Sequence, residues 1–137
     1  MFSNLIRKFW LFVSSRDKDS IEERNRTIFR IVDELVITSN VNAQHQLLLD
    51  VGSCTRELPR YFSPIFGEMV LLDISREQLK KAKSMLPNSW CVCADAHYLP
   101  FRDSAFSQLH AFSLIEHLNQ PERFLCEALR VLKEKGL

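Results

Sequence analysis

Leu47-Leu48-Leu49-Asp50-Val51 is a short, continuous apolar run that ends at Gly52. Runs of this length, bounded by turn residues, mark a strand buried on both faces. The pattern recurs down the chain. Met69-Val70-Leu71-Leu72-Asp73 reads as a second buried strand, and Trp90-Cys91-Val92-Cys93 as a third. Leu109-His110-Ala111-Phe112-Ser113 reads as a fourth, after a loop over residues 98–105. Helix signals fall between them. Residues 55–66 place Leu58, Tyr61, Phe62 and Ile65 on one side, and Gly67 closes the segment. Ser75 with Gln78 forms a capping box for a helix with Leu79, Ala82 and Met85 inward. Pro87-Asn88 is a turn. Pro121 opens a last helix, with Phe124, Leu125, Ala128, Leu129 and Leu132 on one face and Gly136 as its C-cap.

Strands and helices that alternate at this spacing predict an α/β fold: a doubly wound, Rossmann-like parallel sheet of about four strands. In such sheets a ligand sits outside the carboxyl ends of the strands. Those ends are Asp50-Val51-Gly52, Asp73-Ile74, Ala94-Asp95-Ala96 and Ser113-Leu114. The first three each carry an acid. Acids facing one crevice suit a ligand with hydroxyls and amino groups.

Upstream, residues 1–40 read as a separate helical cap, and residues 41–137 as the sheet domain. Phe2, Leu5, Ile6, Phe9, Phe12 and Val13 share one face of a first helix, with Trp10 at its margin. Ser20 and Glu23 form a capping box for a second helix, striped by Ile21, Ile28, Ile31, Val32, Leu35 and Val36. Membrane-surface contact by helix 2–13 is the weaker reading, because only Arg7 and Lys8 supply charge within it. A lid over the crevice is the stronger one.

The 137 residues carry a formal net charge of +1, which gives no bulk attraction to nucleic acid. No apolar run reaches the roughly 18–20 residues of a membrane span. No secretory signal is convincing, so the four cysteines read as free thiols in a cytoplasmic protein. Cys91-x-Cys93 lacks zinc spacing, and no metal site is expected. Both cysteines read as small apolar strand residues. His110 is expected to point off its strand into a helix-packing layer. His45, His97 and His110 show no partner pattern. His117, after Glu116, could serve as a general base, but a structural role is favoured.

The ordered segments resemble one family, the class I S-adenosylmethionine-dependent methyltransferases, and within it the type 11 group. Leu48-Leu49-Asp50-Val51-Gly52 is similar to its glycine-rich first motif, and Leu71-Leu72-Asp73-Ile74-Ser75 to its second-strand motif. Ala94-Asp95-Ala96-x-x-Leu99-Pro100-Phe101-x-Asp103-x-x-Phe106 is similar to the third. Ser113-x-x-Glu116-His117-Leu118 and Glu127-x-x-Arg130-Val131-Leu132-Lys133 complete the set.

The resemblance implies S-adenosyl-L-methionine as cofactor. It implies a site formed by Asp50, Gly52, Ser53, Asp73, Ile74, Asp95, Ala96 and Ser113. Asp73 would accept from the ribose hydroxyls, Asp95 from the adenine amino group, and Asp50 would orient the methionine amino group. The acceptor would be a small molecule, and no catalytic side chain is identified. Two departures stand out. Cys54 and Arg56 replace the second and third glycines of the first motif, where glycine lets backbone approach the ligand. The sequence also stops after the fourth strand and its helix. That leaves the fourth-strand edge to self-association or to a complementary chain. The rival to an enzyme is a catalytically silent methyltransferase-like module.

Overall fold

The computed structural model describes residues 46–52, 67–112 and 114–134. The N-terminal helices, the 55–66 segment, Ser53, Cys54, Arg56, Ser113 and the Gly136 cap lie outside the described residues. The elements in chain order are β1 (Leu47–Val51), β2 (Glu68–Asp73), α1 (Arg76–Met85), β3 (Trp90–Cys93), β4 (Gln108–His110), a short 3-10 turn (Ile115–His117) and α2 (Pro121–Val131). The four strands form one sheet in the order β3-β2-β1-β4. Every pairing is parallel, as the buried apolar runs require.

β1 and β2 are the central strands, so their side chains are covered on both faces. Leu48, Leu49 and Leu71 are fully buried. Leu49, Val51, Val70 and Leu72 share a core with Phe106, Phe124, Ala128 and Val131. α1 packs on β2 and β3 and buries Leu79 and Ala82. Its cap is half of the expected box. The Ser75 hydroxyl accepts from the Gln78 N–H at 3.3 Å. The Ser75 N–H, however, donates to Asp73 Oδ1 at 2.8 Å rather than to the Gln78 side chain. Met85 is 44% exposed, contrary to expectation, because the helix ends there. Leu86 turns inward in its place.

α2 also differs from the pattern read in the sequence. Phe124, Ala128 and Val131 are its buried stripe, while Leu125 and Leu129 are exposed. Its apolar sector is wider than the surface it packs on, and the residues one position further round fall outside the contact. The helix stops at Val131, well before Gly136, because Leu132 turns extended (ψ 140°). There Leu132 bridges Phe106 in parallel, just ahead of β4.

β3 is an edge strand. Trp90, Cys91 and Cys93 are exposed rather than packed as small core residues. The Cys93 thiol points at the Ile74 carbonyl at 3.4 Å. β4 is shorter than expected, three residues with Gln108 and His110 buried. Among the described residues, no helix is long and apolar enough to cross a membrane.

Candidate functional site

The parallel register sets the carboxyl ends of β1, β2 and β3 side by side. Val51 pairs with Leu72, and Asp73 with Cys93. Gly52 and Asp73 therefore emerge together, with Asp95 two residues beyond β3. Gly52 turns sharply at φ +76°, and its N–H donates to the Leu72 carbonyl at 2.8 Å. A Cβ there would sit 2.7 Å from Leu114 Cδ1. The left-handed conformation strains any side chain there, while the Leu114 tip could move aside.

The two rim acids share a local device. Asp73 Oδ1 accepts the N–H of Ser75. Asp95 Oδ1 accepts the N–H of His97 at 2.8 Å. Each is a carboxylate bonding the backbone two residues on, a geometry that Asp adopts readily in turns. No described residue bonds Oδ2 of either acid, so each keeps one unengaged acceptor among the described residues. Ile74 stands 73% exposed after Asp73, an apolar surface beside a polar rim. Ala96, after Asp95, is buried.

Asp95 is held more firmly than Asp73. His97 Nδ1 also lies 2.7 Å from Asp95 Oδ1. These hydrogen bonds hold the Asp95 carboxyl below the usual carboxylate range, the His97 N–H first among them. The loop beyond it is clasped by α2. Arg130 uses all five guanidinium N–H groups. Nε donates to Glu127 Oε1, and Nη2 to Glu127 Oε2 and the Leu99 carbonyl. Nη1 donates to the Phe101 carbonyl and Asp103 Oδ1. Glu127 in turn accepts the Leu99 N–H at 2.7 Å. Arg130 lowers the Glu127 carboxyl, and Glu127 with Asp103 raises the Arg130 guanidinium. Arg123 donates to the His97 carbonyl at 3.1 Å and stacks 3.9 Å above Tyr98. The Glu127-x-x-Arg130 motif thus holds the loop that carries Asp95.

The remaining expected residues divide. Asp50 lies inside β1, opposite Leu71 and His110, at 2% exposure. It is engaged within the protein. His110 is buried as expected, and desolvation pushes its imidazole down to about 3, so it is neutral in the fold. His117 is exposed, with Nε2 3.8 Å from Glu116 Oε1, too long for a hydrogen bond. Among the described residues no three ligating side chains converge as a metal site would require. A cavity of about 200 Å³ lies at the opposite edge of the sheet, lined by Gly67, Met69, Met85, Leu86, Pro87, Asn88 and Ser89. It holds none of the acids. His97 is the residue that sequence reading missed. Its only signal was the Asp95-x-His97 spacing, which an Asx turn explains.

Residues 49–137 match the family described as Methyltransferase domain. The demethylmenaquinone methyltransferase of Renibacterium salmoninarum is 32% identical over 91 residues, 66% of this chain and 38% of that protein. The ubiquinone/menaquinone biosynthesis C-methyltransferase UbiE of Stutzerimonas stutzeri is 35% identical over 98 residues, 65% of this chain and 38% of that protein. The chain spans less than half the length of these curated relatives. Among solved structures, an SAM-dependent methyltransferase from Aquifex aeolicus superposes with a TM-score of 0.59 at 26% identity. That match covers 73% of this chain and 57% of the other.

Proposed function

The chain belongs to the methyltransferase-domain family, and on that premise we propose that it forms the cofactor-binding part of an S-adenosylmethionine-dependent methyltransferase acting on a small-molecule acceptor. The observation that carries the reading is the pair of rim acids. Asp73 and Asp95 each have Oδ1 tied to backbone and Oδ2 unbonded by the described residues, and Ile74 after Asp73 is exposed. An adenosine offers groups to match: a vicinal diol for Asp73, a 6-amino group for Asp95 and an apolar ring for Ile74. The Gly52 turn, whose left-handed conformation disfavours a side chain, would keep backbone close to the ligand. The Ala96 backbone would lie near the ring. Asp50, Ser53 and Ser113 are proposed to line the methionine end.

When bound, the cofactor supplies an electrophilic sulfonium methyl group. The protein's part is to position it for in-line attack and to exclude water. That work needs no nucleophile or metal from this chain. The acceptor is proposed as a small molecule in keeping with the relatives, one named a demethylmenaquinone methyltransferase and another for ubiquinone/menaquinone biosynthesis. The reading also has the chain associate through β4, whose one strand partner among the described residues is β1. Sedimentation at several concentrations checks this, and a monomer throughout overturns it.

Titration calorimetry with S-adenosylhomocysteine tests the site. Asp73→Ala should weaken binding by about 10- to 100-fold, the range for a hydrogen bond to a charged group. Equal affinities for the two proteins would remove Asp73 from the site.

A further inference from the structure

Three groups fix the stretch from Asp95 to Tyr98, and they meet at His97. Its N–H donates to Asp95 Oδ1 at 2.8 Å, and its carbonyl accepts from Arg123 Nε at 3.1 Å. Its imidazole Nδ1 makes the shortest contact, 2.7 Å to the same Asp95 Oδ1. A carboxylate only accepts, so this contact assigns the ring proton to Nδ1. The two side chains differ in exposure. The imidazole is 16% exposed and the carboxylate 46%. The ring is the inner support, and the carboxylate is the surface it presents.

The backbone bond alone would leave the carboxylate free to rotate and exchange its oxygens. Two donors on Oδ1 use both lone pairs of that oxygen. The carboxylate is then held in one orientation, with Oδ2 left as a pure acceptor. A pure acceptor discriminates. It bonds a 6-amino purine and opposes a 6-oxo purine, whose oxygen is itself an acceptor.

We propose that His97 is a positioning residue that orients the Asp95 carboxylate and so sets a preference for a 6-amino over a 6-oxo purine nucleoside. The proposal rests on the cofactor reading above, in which Asp95 meets the adenine amino group. His97 acts through Asp95 and touches no ligand.

The test measures a ratio of affinities in the full chain, for S-adenosylhomocysteine and for S-inosylhomocysteine, which differ at the purine 6-position. The wild type should favour the adenosine form by about 10- to 100-fold. His97→Asn places an amide N–H where Nδ1 stands and should keep the ratio. His97→Gln carries its donor one atom further out and should reduce the ratio to about threefold or less. Where His97→Gln fails to fold, His97→Ala serves the same arm. A merely structural role would weaken both ligands together and leave the ratio unchanged. An unchanged ratio in His97→Gln or His97→Ala, with the ratio lost in Asp95→Ala, overturns the role of His97 and leaves the cofactor reading standing. A ratio that survives in Asp95→Ala overturns the adenine contact and this proposal with it. A wild-type chain that binds neither nucleoside overturns both.

Discussion

Asp73 and Asp95 stand at the ends of neighbouring strands, and each accepts an N–H from two residues further on. Beyond that shared turn they are built differently. Asp73 leads directly into α1, whose N-cap Ser75 supplies the single donor to its carboxylate. Asp95 leads into a loop, with no helix to hold it. Its carboxylate takes a second donor from His97, and its loop is clasped from α2 by Arg123, Glu127 and Arg130. An acid at a helix start inherits rigidity from that helix. The loop that carries the other acid is held by donors brought from 26 to 31 residues away. The same residue type at the same edge therefore depends on local sequence in one case and on tertiary contacts in the other.

The strongest test of that contrast is Phe106→Ala. Phe106 is 2% exposed and meets Phe101 edge-on at 4.8 Å, beneath the clasped loop. Its truncation should cost about 3–5 kcal/mol in urea unfolding. Amide exchange should accelerate through residues 99–106 before it does in α1. Acceleration in α1 first would show that the Asp73 side depends on the same support.

Acid titration gives the next largest effect and separates the sheet from the rim. His110 falls from its ordinary value of 6.5 to about 3 in the fold. Between those values the unfolded chain binds the extra proton, so stability rises with pH across this window. Its contribution is complete above 6.5 and is lost progressively below it. By pH 5 the loss should be about 2 kcal/mol relative to neutral pH, and His110→Gln should flatten the slope. The lowered carboxyls of Asp95 and Glu127 contribute stability that is present above the carboxylate range and lost as pH falls through it. A denaturation series from pH 7 to 5 therefore reads the buried histidine before the rim acids begin to respond.

Ser75→Ala removes the hydroxyl that caps α1 while leaving the backbone N–H on Asp73. The cost should be about 1 kcal/mol, with loss of helical signal confined to α1. A matching loss in the 99–106 loop would break the separation of the two sides. The smallest effect is expected on the clasped loop itself. Ser104 holds a left-handed φ of +53° while its N–H reaches the Arg130 carbonyl at 2.9 Å. Ser104→Gly should relieve strain of about 1 kcal/mol or more, offset in part by the entropy that glycine adds to the unfolded chain. The net gain should be about 0.5 kcal/mol, measurable as a raised urea midpoint.

The sheet was legible because its signal is local. Apolar runs at Leu47–Val51 and at residues 69–73 are short and bounded by turn residues, which favours strands covered on both sides, and their spacing leaves room for a parallel crossover. The rim acids were legible for the same reason, since each follows or ends its run. Helix faces were less so. Leu125 and Leu129 satisfy the helical period as well as Phe124 and Ala128 do, yet they are exposed. Periodicity defines an apolar sector and not the part of it that another element covers. The end of α2 was misread because the stop at Leu132 comes from a bridge to Phe106, a partner remote in sequence.

By itself the sequence determined the parallel α/β sheet, the row of acids at its carboxyl edge, and the glycine between them. These follow from residue type and short-range spacing. Only the tertiary structure decided that Arg123, Glu127 and Arg130 clasp the loop that carries Asp95. That outcome depends on donors arriving from distant segments at hydrogen-bond distance, which hydrophobic periodicity does not encode.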